Sequence, residues 1–212
     1  MVKKFLLLLS LIMLMGCYHK NPVSPTGGFV SIAPSENPTP PAPKPDSLNP
    51  KPFFDFDEIT HIRIDISDNE YDDLYNHKKG TPERNLVYFL SKNRPEEITD
   101  SAIEESIKNV AHKIMPVDPT FFTEMKDSIF AEHKSSAPPL ALACEPIYRD
   151  ILIFKMNKKT VGIAKICFKC CMYHITGAKS NTGNFGQYRD FKRLADLLKK
   201  NEALSSPQKK KQ

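Results

Sequence analysis

The chain reads as an α+β protein: a small antiparallel or mixed sheet, a hairpin in the C-terminal half at about 148–168, and three or four helices in a single domain. Three observations predict this. Two strand-like apolar runs, Ile151–Met156 and Thr160–Phe168, are separated by Asn157-Lys158, and Asn tolerates the left-handed backbone of a tight turn. Apolar residues elsewhere recur at helical spacing behind good capping residues. Strands and helices interleave without a regular βαβ order, which favours α+β over a doubly wound sheet.

The elements follow in order. Ile59, Ile62, Ile64 and Ile66 alternate closely enough to predict a strand, with Arg63 and Asp65 on its wet face. Asp68 is placed to cap a short helix ending near Tyr75. Leu86–Leu90 is a short apolar run and reads as a strand. Ser101 and Glu104 fit a capping box, and Ile103, Ile107, Val110, Ala111 and Ile114 predict a helix over Asp100–Lys113, stopped by Pro116. Asp118-Pro119 is a cap and first-turn pair for a second helix to about His133, with Phe121 or Phe122, Met125 and Ile129 on its buried face. Ser135–Pro139 breaks that pattern. Gly177, Gly183 and Gly186 mark a loop, and Phe191, Leu194, Ala195, Leu197 and Leu198 predict a last helix. The expected sheet has three or four strands.

The amino terminus sets the expected location. Lys3 and Lys4 precede an apolar run from Phe5 to Met15, too short to span a bilayer. Leu14-Met15-Gly16-Cys17 resembles the lipobox of bacterial lipoproteins. The resemblance implies cleavage before Cys17, with lipid on its sulfur and usually on its new amine. Residues 1–16 are then a signal peptide, and membrane lipid is the first expected partner. Tyr18, in place of an Asp, resembles an outer-membrane sorting signal in Gram-negative cells. The expected location is therefore the cell envelope, lipid-anchored.

Residues 17–52 read as the lipidated Cys and a disordered tether. Ten prolines lie between Pro22 and Pro52, among Ser, Thr, Asn and Gly. Such a segment buries too little apolar surface to offset its ordering entropy, and its Pro runs favour extended backbone. Residues 53–200 form the expected single α+β domain, and 201–212 a basic disordered tail. Without Lys3 and Lys4 the formal charge falls from +5 to +3, a surplus matched by Lys209, Lys210 and Lys211. A near-neutral domain gives no electrostatic case for nucleic acid.

Four cysteines remain for the domain: Cys144, Cys167, Cys170 and Cys171. With Asn157 and Lys158 central in the turn, paired positions sum to 315. Phe154 then faces Val161, Tyr148 faces Cys167 and Cys144 faces Cys171, with Cys170 one step away. Three readings stay open. A disulfide from Cys144 to Cys170 or Cys171 needs only an oxidising location and proximity. A zinc site would use Cys167 and Cys170 at thiolate spacing, completed by Cys144 and His174. Thiol–disulfide exchange would use Cys167 and Cys170, though Ile166 stands where such motifs usually carry Trp.

The segments Cys144-Glu145-Pro146-Ile147-Tyr148-Arg149-Asp150 and Ile166-Cys167-Phe168-Lys169-Cys170 resemble a pattern of small envelope lipoproteins from Bacteroidetes-type bacteria. That resemblance implies an envelope location and no activity. Arg149 and Asp150 read as a salt-bridge or hairpin-rim pair. Of the other histidines, His61, His77, His112 and His133 lack a carboxylate or second His at ligand spacing. No phosphate-binding Gly loop, nucleophile elbow or zinc-protease His pair is present. The expected function is a membrane-tethered, non-enzymatic binding or structural module, without a cofactor, touching an envelope protein or glycan. The alternative is an envelope thiol–disulfide exchange or zinc-binding protein using Cys167 and Cys170.

Overall fold

Asn157 and Lys158 both adopt positive φ, 51° and 64°, and turn the chain between the two long strands, as their types and position predict. A computed structural model describes residues 50–92, 103, 106–107, 110–133, 144–187 and 189–205. Its strands are β1 (Lys51–Pro52), β2 (Glu58–Ile64), β3 (His112–Pro116), β4 (Ala131–Glu132), β5 (Asp150–Met156), β6 (Lys159–Cys167) and β7 (Met172–Thr176). Its longer helices are α1 (Asp68–Tyr75), α2 (Pro82–Ser91) and α3 (Asp190–Ser205). A composite helical segment passes from a 3₁₀ turn at Pro119–Phe121 through Phe122–Glu124 to a π-helical stretch at Met125–Ile129. The class is α+β, as expected. Cys17, the expected signal peptide, most of the expected tether and Lys209–Lys211 lie outside the described residues.

The main sheet has five antiparallel strands in the order β3-β2-β5-β6-β7, and β1 pairs with β4 in a separate two-stranded ladder. This exceeds the expected three or four strands. Register in the hairpin begins as expected, with Met156 opposite Lys159 and Lys155 opposite Thr160. A bulge then shifts it by one, so that Phe154 faces Gly162 rather than Val161. The Phe54 ring lies over Gly162, where a Cβ would stand 2.1 Å from its Cε1. A side chain there would exclude that ring.

The two faces of the sheet carry separate apolar clusters. Ile59, Leu152, Phe154, Ala164 and Ile166 face Phe53, Phe54, Phe130 and the Leu194–Leu198 side of α3. Ile62, Ile64, Ile151, Ile153 and Ile163 face α1, α2, Ile103 and Ile107. All described residues fall in one compact unit.

Several local expectations are corrected. Leu86–Leu90 is helical. Thr81 accepts a hydrogen bond from Arg84 N–H and Pro82 opens α2, so Leu86, Val87, Phe89 and Leu90 share a helical face buried on the sheet. Ser67, not Asp68, caps α1, in a capping box with Glu70. Of the helix expected over Asp100–Lys113, the described Ile103, Ser106 and Ile107 are helical, but His112–Pro116 forms β3, which pairs with β2 from Ile64↔His112 to Thr60↔Pro116. Ile114, expected on a buried helical face, is 58% exposed on that edge strand. Asp118 does cap the next segment, through Thr120 N–H at 2.9 Å. That segment stops at Ile129, and Ala131–Glu132 forms β4 instead of helix.

Domain edges also move. Lys51 and Pro52, expected in the tether, form β1, and α3 continues to Ser205. The buried Asn201 accepts from Asp118 N–H at 2.8 Å and donates to the Pro116 carbonyl at 2.9 Å. Residues 201–205 therefore belong to the fold rather than the tail.

Candidate functional site

Beyond the hairpin, β6 ends at Cys167 and a tight turn over 168–171 leads into β7. Cys171 takes φ 48° to complete this turn. The reversal carries Cys170 back to Cys144, and the two form a disulfide with α-carbons 5.8 Å apart. The ladder itself does not reach Cys144. Of the two expected partners, Cys170 is the one bonded, because the turn rather than the register brings it there. Cys167 packs as a buried thiol beside Tyr148 and Met172, and Cys171 is an exposed thiol.

The two other cysteine readings lose their geometry here. Cys170 is bonded to Cys144, not to Cys167. His174 lies on β7 opposite Lys165, and its Nε2 is 3.0 Å from Thr176 Oγ1. Among the described residues no three His, Cys, Asp or Glu side chains are placed to share a metal ion. Arg149 and Asp150 do not pair with each other. Arg149 donates to Asp68 Oδ1 at 2.6 Å and to the Ile66 carbonyl at 2.7 Å, while Asp150 Oδ1 accepts from His61 Nε2 at 2.9 Å. Asp68 also takes Lys169 at 2.6 Å. Hydrogen bonds from Lys169 and then Arg149 hold its carboxyl below the usual range. The start of α1 is thereby tied to the turn that carries Cys170.

Beside Tyr148 stands a buried lysine. Lys165 is fully buried at the centre of β6, with Ile151 and His174 beside it on the neighbouring strands. Its Nζ donates to the Phe89 carbonyl and, at 2.7 Å, to the Lys92 carbonyl. It also sits 4.9 Å from the centre of the Phe89 ring and 4.8 Å from that of Tyr148. These carbonyls end α2, where the helix dipole favours a cation. Burial pulls the Lys165 pKa down to about 7. The arrangement docks α2 on the sheet and keeps the Lys165 side chain out of solvent.

The concave site lies at the end of the β6–β7 turn and the start of β7. A cleft of about 390 Å³ is bounded by Cys171, Met172 and Tyr173 from β7 and its turn, and by Phe185, Gln187 and Phe191 from the glycine loop and α3. That volume falls within the roughly 300–1,000 Å³ range of small-molecule sites. Its aromatic wall is braced from within. Tyr173 and Phe185 meet edge to face at 4.9 Å, and Phe185 and Phe191 at 5.3 Å. The Tyr173 hydroxyl donates to the Thr182 carbonyl at 2.7 Å, and burial raises its pKa. Gly186 has φ 91°, and a Cβ on it would stand 2.4 Å from Phe191 Cε2. Asp190, wholly buried, accepts from Gly186 N–H at 2.8 Å and fixes the loop to the start of α3. Arg189 and Lys192 complete the lining.

None of the cleft residues except Cys171 was a site candidate from sequence. The glycine loop and Phe191 were read, as a loop and a helix face. Their meeting with β7 was not, because Met172–Thr176 was not read as a strand. No helix among the described residues is long and apolar enough to cross a membrane. Comparison with family models, curated proteins and solved structures finds no match to this chain.

Proposed function

We propose that this chain is a lipid-anchored envelope protein whose folded domain is a non-enzymatic binding module, and that the cleft beside β7 is its ligand site. Cys17 carries the lipid in this reading, residues 18–50 are the spacer, and the domain presents the cleft to the envelope. In a Gram-negative cell the membrane is the outer one. The observation that carries the reading is the cleft itself: an aromatic wall held in shape by Tyr173, Phe185 and Phe191, with few polar groups. Binding rather than catalysis is supported by the lining. Among the described residues it includes a thiol but no histidine or carboxylate that could activate it.

Cys171 makes the test direct, because it is exposed and lines the cleft, whereas Cys167 is buried. The membrane-bound full chain is treated with a maleimide, and modification of Cys171 is followed by peptide mass mapping. A panel of neutral, anionic and cationic aromatics and simple sugars is added in turn. Saturable protection of Cys171 by at least one compound, lost in Phe191→Ala, supports the reading. Absence of protection across the panel overturns it. The anchor is tested separately by labelled fatty acid. Cys17→Ser must abolish incorporation and release the protein from membranes; unchanged partitioning with no label in the native chain overturns that part.

A further inference from the structure

We propose that the resting occupant of the cleft is the chain's own segment Pro41-Ala42-Pro43-Lys44-Pro45, laid on the aromatic wall as a strap that a ligand must displace. The inference rests on the binding reading above and adds the regulation of that same site.

Position supports it first. The chain enters the fold at Lys51–Pro52, beside the loop that follows β7. The Ser180 hydroxyl lies within hydrogen-bond distance of the Lys51 and Pro52 carbonyls, at 3.3 and 3.4 Å. The Lys179 N–H donates to the Phe53 carbonyl at 2.8 Å. Gly183, which lines the cleft, stands three residues after Ser180, at most about 11 Å along the chain. On the inner side, the Phe53 ring is 6.4 Å from that of Phe185, a member of the wall. Pro45 precedes Lys51 by six residues, a link that extends to about 20 Å. The segment is thus tied to the fold within reach of the wall.

Chemistry supports it next. Proline-rich segments dock in aromatic-lined grooves, because their polyproline backbone is ordered before it binds. Here Tyr173, Phe185 and Phe191 stand edge to face or tilted, with centres 4.9 to 6.4 Å apart. Proline rings fill the slots between such faces and lose little freedom in doing so. A polyproline helix has three residues per turn, so Pro41 and Lys44 share one edge and Ala42, Pro43 and Pro45 occupy the other two. With the Lys44 edge outward, the apolar edges meet the rings and the ammonium stays in water. The contact is apolar and draws on no charge in the lining.

The short link completes the case. It holds the segment at a local concentration on the order of 1 mM. A segment whose free peptide binds at about 0.1 mM then fills the cleft roughly nine-tenths of the time, and an incoming ligand loses about tenfold in apparent affinity. Binding of that ligand releases the strap and lengthens the tether.

The test follows the rate of Cys171 labelling by maleimide in the membrane-bound full chain. Pro41→Ser with Pro43→Ser and Pro45→Ser is expected to speed labelling about tenfold, since the strap then leaves the cleft. Pro22→Ser with Pro25→Ser, far from β1, should leave the rate unchanged. The capped peptide Pro-Ala-Pro-Lys-Pro should slow labelling of the triple variant again, half-way at about 0.1 mM. In Phe191→Ala both the triple change and the peptide should lose their effect. An unreactive Cys167 certifies that each variant is folded. Equal rates in the native and triple-variant chains overturn the strap, as does an equal acceleration by the Pro22 and Pro25 changes. A rate that rises when the native chain is diluted tenfold in phosphatidylcholine vesicles also overturns it, by placing a second copy's segment in the cleft. Each of these outcomes leaves the binding site standing when a compound of the wider panel still protects Cys171. If neither the peptide nor any compound protects, both readings fall together.

Discussion

Phe54 lies directly over Gly162, so that no side chain can stand at that point of β6. The ring also stacks on Phe154 at 4.5 Å, the residue opposite Gly162 in the hairpin. Gly162→Ala should therefore cost about 1–3 kcal/mol by overpacking. Denaturant unfolding of the full chain measures this. Phe54→Leu in the same chain should recover part of the loss, because it removes the ring edge that clashes. Additive losses in the double variant would show that the cost is not steric.

The Cys144–Cys170 bond closes a 26-residue separation. Cys144→Ser should lower stability by about 3 kcal/mol in the chain-entropy account. The wild type should lose the same amount in reductant, and the variant should then be unaffected by it. Cys171→Ser should change stability little, since Cys171 is exposed and unbonded. A reductant effect surviving in Cys144→Ser would assign the bond elsewhere.

Lys165 should give a distinctive pH dependence. Its folded pKa of about 7 lies below its ordinary 10.5. Between those values the unfolded chain binds more protons than the folded one, so stability rises with pH across that window. Below about 7 both states are protonated and the penalty is fully present. The slope should be on the order of 1 kcal/mol per pH unit, relative to Lys165→Met. Burial raises the pKa of Tyr71, Tyr148 and Tyr173, which lowers stability above about pH 10, so the comparison is best made from 7 to 9.5. Parallel stability curves for wild type and Lys165→Met would remove Lys165 as the cause.

Gly186→Ala should disable the cleft more than the fold. A Cβ would meet the Phe191 ring, and the φ of 91° disfavours any side chain. The expected result is loss of the Cys171 protection seen in the native chain with a destabilisation of about 1–2 kcal/mol. Retained protection would show that Phe191 is not a wall of the ligand site.

What could be read from sequence was local. The hairpin turn, the Asp118 cap and the apolar side of α3 each depend on residues a few positions apart. Leu86–Leu90 was misread because five apolar residues fit either period, although Thr81-Pro82 upstream held the helix-start signal. The bulge at Val161 and the strand β7 lie where distant parts of the chain pack, Phe54 over Gly162 in one case and Phe185 against Tyr173 in the other. The disulfide was placed on the right pair of segments, but its partner was settled by the turn at Cys171. His61 with Asp150, and Lys165 with the end of α2, are contacts across more than 70 positions that no local pattern announces.

The chain enters its fold through β1, which holds β4 by Lys51↔Glu132 and Pro52↔Ala131, and then plunges at Phe53 and Phe54 into the aromatic core. Mechanically this is a short zipper followed by a bolt. Tension on the segment before Lys51 would meet the small ladder first and the two rings next. Phe53 is held further by its N–H to the Phe130 carbonyl and by its own carbonyl, which accepts from Lys179 N–H at 2.8 Å. In the proposed anchored reading, load arriving through the segment before Lys51 is therefore passed to the aromatic core and not to a surface loop.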